Sequence, residues 1–188
     1  MKKQRIAMLG DSLTYRFEGL HTVPDCEMHN FGMDGAVTGD VLAGLGRVLA
    51  IRPDKIFLQI GINDVLSLYC LWSEAEPDLR AALEGIARTH AAICLDLRRK
   101  TPQSALHVCS LMPVACGIDS CGRANKAIRM LNGMYEKTAR DAGAIFINLY
   151  DKVADGDGGL GADYDLDGVH LRSAAYAVWL ETLLPFLR

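Results

Sequence analysis

Ser12 closely follows a short apolar run, within Gly10-Asp11-Ser12-Leu13-Thr14. A serine hydroxyl is a weak nucleophile until an adjacent base takes its proton. His170 can supply that base, because imidazole exchanges its proton near neutral pH. Asp167 lies three residues earlier, in Asp167-Gly168-Val169-His170. A short turn can bring its carboxylate to Nδ1 of His170, fixing the tautomer and stabilising the imidazolium. Attack on a carbonyl creates an oxyanion, which needs preorganised donors. The backbone N–H groups of Ser12 and Gly35 and the side-chain amide of Asn63 are the candidates. Glycine at position 35 lets the backbone approach a substrate closely.

These residues need elements that bring them together. Apolar runs at 5–9, 27–31, 55–60, 106–111 and 144–149 read as strands. Between them lie helical stretches. The clearest runs from about Glu76 to Arg99, where Leu79, Leu83, Ile86, His90, Ile93 and Leu97 recur at steps of three or four. Ser73 and Glu76 have capping-box spacing before it. Two more helices are expected, at about 122–142 and 173–187. Strands alternating with helices imply βαβ units and a parallel sheet. The expected fold is α/β: a three-layer α/β/α sandwich, flavodoxin-like, with a five-stranded parallel sheet of order 2-1-3-4-5. Such folds bind ligands beyond the carboxyl ends of the strands. Ser12 follows the first strand, Gly35 the second and Asn63 the third, while Asp167 and His170 precede the last helix.

The chain has 188 residues, with 20 Lys+Arg against 23 Asp+Glu, a net charge of −3. At roughly 150 residues per domain this reads as one domain, 1–188. Half the residues are hydrophobic and 23% are charged, which fits a globular chain and not a disordered one. The mild negative charge offers no footprint for nucleic acid. No apolar run is long enough to span a membrane. Met1-Lys2-Lys3-Gln4-Arg5 is basic, but Ile6–Leu9 is too short for a signal-peptide core, so the expected compartment is the cytoplasm. The expected assembly is a monomer or homodimer.

Four blocks, Gly10-Asp11-Ser12-Leu13-Thr14, Asn30-Phe31-Gly32-Met33-Asp34-Gly35, Gly61-Ile62-Asn63-Asp64 and Asp167-Gly168-Val169-His170-Leu171, in order from residue 10 to residue 171, resemble the SGNH/GDSL hydrolase superfamily of serine esterases and lipases. The resemblance implies Ser12 as nucleophile, Asp167 and His170 as its partners, and Ser12, Gly35 and Asn63 as oxyanion donors. It also implies the flavodoxin-like three-layer fold. None of the key positions is substituted.

Other readings of the same residues are structural. Asp11 and Asp64 read as loop braces, and Asn30 as a strand-end residue ordering the Gly32–Gly35 loop. His90 and His107 sit on a helix stripe and in a strand, so they read as packed residues. His29 belongs to the second strand, and His21 to a loop near the nucleophile. Asp163-Tyr164-Asp165-Leu166-Asp167-Gly168 opens like a calcium loop, but its twelfth position is Ala174 and not Glu. No metal site is expected. No phosphate-binding Gly-x-x-x-x-Gly-Lys-Ser/Thr or Gly-x-Gly-x-x-Gly follows the first strand, and Gly-x-Ser-x-Gly is absent. The six cysteines form no Cys-x-x-Cys pair. Cys94 and Cys109 read as core residues, and Cys116 and Cys121 as a pair that can approach each other across a loop.

The expected chemistry is acyl transfer to water, with no cofactor and with a small-molecule ester as substrate. Leu66, Tyr69 and Trp72 after Asn63, and Met112 after the fourth strand, are candidate substrate walls. The same apolar cluster can equally pack under the next helix. A small or medium acyl group is favoured, such as acetyl on a sugar or a short-chain ester. Transfer to a sugar hydroxyl, lysophospholipid or thioester cleavage, and a non-catalytic binding role remain as alternatives.

Overall fold

The computed structural model describes residues 3–70, 79–119 and 122–187. Five strands form the sheet: β1 (Gln4–Gly10), β2 (Cys26–Gly32), β3 (Lys55–Gln59), β4 (Ala105–Cys109) and β5 (Ile145–Ile147). All pair in parallel, in the order β2-β1-β3-β4-β5, as the sequence predicts. A parallel sheet is covered on both faces, so its strands are apolar throughout and do not alternate with polar residues. Ile6, Ala7, Met8 and Leu9 of β1 are all buried. The pleat then divides them. Ala7, Leu9, Ile56 and Leu58 enter one core, while Ile6, Met8 and Phe57 enter the other.

The first core lies under α2 (Thr38–Ala50), α4 (Leu79–Lys100) and α5 (Arg123–Asp141). The stripe on α4 is the predicted one, with Leu83, Ile86, His90, Ile93 and Leu97 buried. The second core lies under α7 (Ser173–Leu187), whose Ala175, Trp179, Leu183 and Leu187 are buried. Shorter helices sit at strand ends: α1 (Ser12–Tyr15), α3 (Ile62–Cys70), α6 (Tyr150–Val153) and a 3₁₀ turn, Glu18–Thr22. The proposed cap pair Ser73 and Glu76 falls outside the described residues. Among the described residues, no helix is long and apolar enough to cross a membrane.

The structure departs from the sequence reading in two places. The reading assigns no element to 38–50. There Val41, Leu45 and Val48 form a buried stripe, but Gly39, Gly44 and Gly46 dilute the helical signal. The later strands are also shorter than their apolar runs. Ile60 and Leu111 are fully buried yet lie outside the ladder. Their hydrophobicity reports burial at the strand exits, where the chain leaves the sheet to build the site.

The exit of β1 is packed backbone against backbone. A Cβ on Gly10 would stand 2.1 Å from Thr14 Oγ1 and 2.3 Å from the Gln59 carbonyl oxygen. The second neighbour is main chain of β3 and has no rotamer to escape into. Gly10→Ala is therefore expected to destabilise the protein by about 1–3 kcal/mol or more. Thermal unfolding would show a drop of several degrees, and an unchanged midpoint would contradict this packing.

Candidate active site

The carboxyl ends of β1, β2 and β3 and the loop before α7 converge on one edge of the sheet. At the first, Asp11 caps α1 by accepting the Leu13 N–H at 3.0 Å. Ser12 opens that helix and is 6% exposed. Tyr176 of α7 donates its hydroxyl to the Leu13 carbonyl at 3.0 Å, tying α1 to α7. Asn30 of β2 ties it on the other side. Its Nδ2 donates to the Thr14 carbonyl at 2.7 Å, and its Oδ1 accepts the Gly32 N–H at 2.8 Å. Asn30 thus orders the following loop, as expected, and also anchors α1.

Gly35 sits in a four-residue turn closed by the Ala36 N–H donating to the Met33 carbonyl at 3.2 Å. Its φ is +71°, the left-handed conformation that such a turn requires at its third residue. Among the described residues, the Gly35 N–H donates to no other group. At the third strand exit, Asn63 lies in the first turn of α3. Its Nδ2 donates one hydrogen to the Ala36 carbonyl at 2.9 Å. A primary amide has two such hydrogens, and the second donates to no other group among the described residues. Asp64 beside it accepts from the Thr38 N–H at 2.9 Å and the Thr38 hydroxyl at 2.7 Å. It locks the start of α3 to the start of α2, which is the bracing role read from sequence.

The fourth block closes the group. Ser12 Oγ lies 3.0 Å from His170 Nε2, across 158 residues of chain. His170 Nδ1 lies 2.8 Å from Asp167 Oδ2. Asp167 Oδ1 also accepts the backbone N–H of His170 at 2.8 Å and that of Val169 at 3.2 Å. The His170 backbone N–H, then its imidazole, hold the Asp167 carboxyl down at about 2. Asp167 is thus ionised throughout the neutral range. Hydroxyl, imidazole and carboxylate in this order can move a proton from Oγ and stabilise the cation that results.

Beside Ser12 the electrostatics reverse. Asp11 is fully buried, and burial raises its carboxyl from 3.8 to about 7. Burial also lowers His90 from 6.5 to about 3, with its ring stacked on Tyr135 at 3.7 Å. These groups act oppositely on stability. The folded chain keeps the Asp11 proton that the unfolded chain loses, so this contribution is full below 3.8 and is lost as pH rises to about 7. His90 refuses a proton that the unfolded chain binds, so its contribution is lost as pH falls below 6.5. Asp11→Asn removes only the first slope. Relative to wild type it is expected to gain stability as pH rises from 4 to 7, by up to ~4 kcal/mol. Urea unfolding at pH 4.5 and 7.5 checks this, and a constant difference would show that Asp11 is not held as an acid.

The remaining expectations divide. Leu66 is half-buried and packs against the first core. Met112 is 2% exposed and belongs to the second core, so it lines no open surface. The Tyr69 side chain and Trp72 lie outside the described residues. His107 is buried and stacked on Phe57 at 4.3 Å, and His21 is exposed in the 3₁₀ turn. Burial pushes the Cys94 and Cys109 thiols up to about 12, so neither competes as a nucleophile. Cys116 is a free thiol, and Cys121 lies outside the described residues. In the acidic loop, Asp165 accepts the Gly168 N–H at 2.6 Å.

Fold and strand-edge polarity together define a three-layer α/β/α hydrolase. The sequence profile of the GDSL-like lipase/acylhydrolase family matches residues 8–178, and the chain belongs to that family of ester-bond hydrolases. The chain matches no curated protein sequence. Among solved structures, it is similar to a Streptococcus pneumonia protein provisionally described as a platelet activating factor. The two are 26% identical over 99% of this chain and 85% of that one, with a TM-score of 0.80. A catalytic mutant of an acetylxylan esterase from Geobacillus stearothermophilus shares the fold at 18% identity, over 100% and 96% of the chains, with a TM-score of 0.76. A GDSL-like lipase from Bacteroides thetaiotaomicron does so at 19% identity, over 98% and 87%, also with a TM-score of 0.76.

Proposed function

We propose that this enzyme hydrolyses carboxylic esters of small or medium acyl groups through an acyl-enzyme on Ser12. The observation that carries the reading is the continuous relay from Ser12 Oγ to His170 Nε2 at 3.0 Å and from His170 Nδ1 to Asp167 at 2.8 Å. Solved catalytic mutants of the Geobacillus esterase support it. They change a serine, an aspartate and a histidine, the last two separated by the same three-residue step as Asp167 and His170.

In the cycle, His170 takes the Ser12 proton as Oγ attacks the ester carbonyl. The oxyanion forms against the Ser12 N–H, the Gly35 N–H and the free hydrogen of Asn63 Nδ2. The imidazolium then protonates the leaving alcohol. Water, deprotonated by the same imidazole, attacks the acyl-enzyme and releases the acid. Serine, imidazole and water account for every proton and electron pair, so the cycle needs no cofactor.

The test is hydrolysis of p-nitrophenyl acetate, butyrate, octanoate and palmitate, together with labelling of Ser12 by a serine-reactive phosphonate. Acetate and butyrate are expected to be the best substrates, and Ser12 to be the labelled residue. A folded enzyme that is inert on all four esters and unlabelled would sink the proposal. Preference for palmitate would sink the acyl-size assignment alone.

A further inference from the structure

The loop that carries Asp167 and His170 is positioned from outside itself. Gly168, between them, has a φ of +100°. Two contacts from one segment hold it there. The Ala115 N–H donates to the Gly168 carbonyl at 2.8 Å. The Ile118 side chain covers the Gly168 Cα, where a Cβ would stand 2.0 Å from Ile118 Cδ1. That segment is itself pinned by one buried side chain of α5. Asn125 Oδ1 accepts the Val114 N–H, and Asn125 Nδ2 donates to the Val114 carbonyl, both at 2.9 Å. The same Val114 carbonyl accepts the Leu160 N–H at 3.0 Å. Asp119 fixes the base of the clamp, accepting the Ala124 N–H at 3.0 Å and the Asn125 N–H at 2.8 Å.

We propose that Asn125 is a positioning residue for the acid–base loop, holding Asp167 and His170 at the nucleophile through Val114, Ala115 and Ile118. The proposal rests on the reading of Ser12, Asp167 and His170 as a triad. An amide is the side chain that can satisfy an N–H and a C=O of one residue at once. With that clamp in place, the carbonyl of Val114 and the N–H of Ala115 face the 160–168 stretch in a single arrangement. Asp165 shapes the loop from within, accepting the Gly168 N–H at 2.6 Å, but Ser12 and His170 are 158 residues apart, so setting the loop against Ser12 depends on contacts from other segments such as these.

α5 provides its own control. Asn132 clamps Leu111 in the same way, accepting its N–H at 2.8 Å and donating to its carbonyl at 3.0 Å. Among the described residues, Leu111 makes no hydrogen bond to the loop that carries Asp167 and His170. Asn125→Ala and Asn132→Ala are thus expected to lower thermal stability alike and to differ in catalysis.

The experiment compares Asn125→Ala, Asn132→Ala and Ile118→Ala with wild type and Ser12→Ala on p-nitrophenyl acetate. For Asn125→Ala, kcat is expected to fall about 10-fold, because small misplacements of a catalytic group are costly, with KM within about twofold. Its acid limb is expected to move to lower pH, since a displaced Asp167 stabilises the imidazolium less. Ile118→Ala removes a side chain that is 51% exposed. It leaves the core intact and should shift kcat and the acid limb in the same direction, so the test survives if Asn125→Ala fails to fold. Asn132→Ala should lose stability with its acid limb in place. The proposal is overturned if Asn125→Ala and Ile118→Ala keep the wild-type profile, or if Asn132→Ala moves it equally. An inert wild type, or full activity in Ser12→Ala, would instead overturn the triad reading.

Discussion

Ser12→Ala is expected to lower kcat on p-nitrophenyl acetate by roughly 10⁴- to 10⁶-fold, with the melting temperature almost unchanged. The hydroxyl that is lost bonds to His170 Nε2 and to no other group among the described residues, so the fold loses little. The chemistry loses its covalent intermediate. The residual rate should still exceed the uncatalysed one, because binding and oxyanion donors persist without the nucleophile. A sharper form of the prediction concerns coupling. Ser12, His170 and Asp167 act as one relay, so Ser12→Ala with His170→Ala should be no slower than Ser12→Ala alone. Multiplying effects, or a single variant retaining more than about a hundredth of the activity, would assign the reaction to another nucleophile.

Asn63→Ala is the second large effect, with kcat falling about 10²–10³-fold and KM little changed. The reason lies in how the amide is held. One Nδ2 hydrogen is committed to the Ala36 carbonyl, which fixes the direction of the other. A donor fixed before the reaction needs no reorganisation as charge develops, so its value appears in the transition state and not in substrate binding. The junction of α2 and α3 should survive the change, because Asp64 still accepts two hydrogen bonds from Thr38. Asn63→Asp should be worse than Asn63→Ala, since it replaces a donor with an anion facing the developing oxyanion. A rise in KM with kcat preserved would mean that Asn63 binds the ground state instead.

Much of this was legible in the residues. Asp167 and His170 are three apart, so one turn suffices to pair them, and that turn is what the structure contains. Ser12, Gly35 and Asn63 each follow an apolar run, and parallel strands deliver their carboxyl ends to one edge. The supporting residues were harder to read. Asn125 holds the Val114 backbone, 11 residues away, through two hydrogen bonds, and Tyr176 holds the Leu13 carbonyl, 163 residues away, through one. Such bonds leave no spacing and no periodicity. Met112 misled for a related reason. Its position after β4 suggests a wall, but the chain turns inward there and buries it against α7.

The sequence by itself determined the α/β class, the strand order expected of it and the identity of the polar groups at the strand exits. These follow from local periodicity and from the one-way geometry of parallel strands, both properties of short segments. Only the tertiary structure decided that His170 Nε2 stands 3.0 Å from Ser12 Oγ, that Asn63 has one committed hydrogen, and that burial raises the Asp11 carboxyl. Those depend on how two cores, packed on opposite faces of one sheet, set distant loops against each other, and no local pattern encodes a distance across 158 residues.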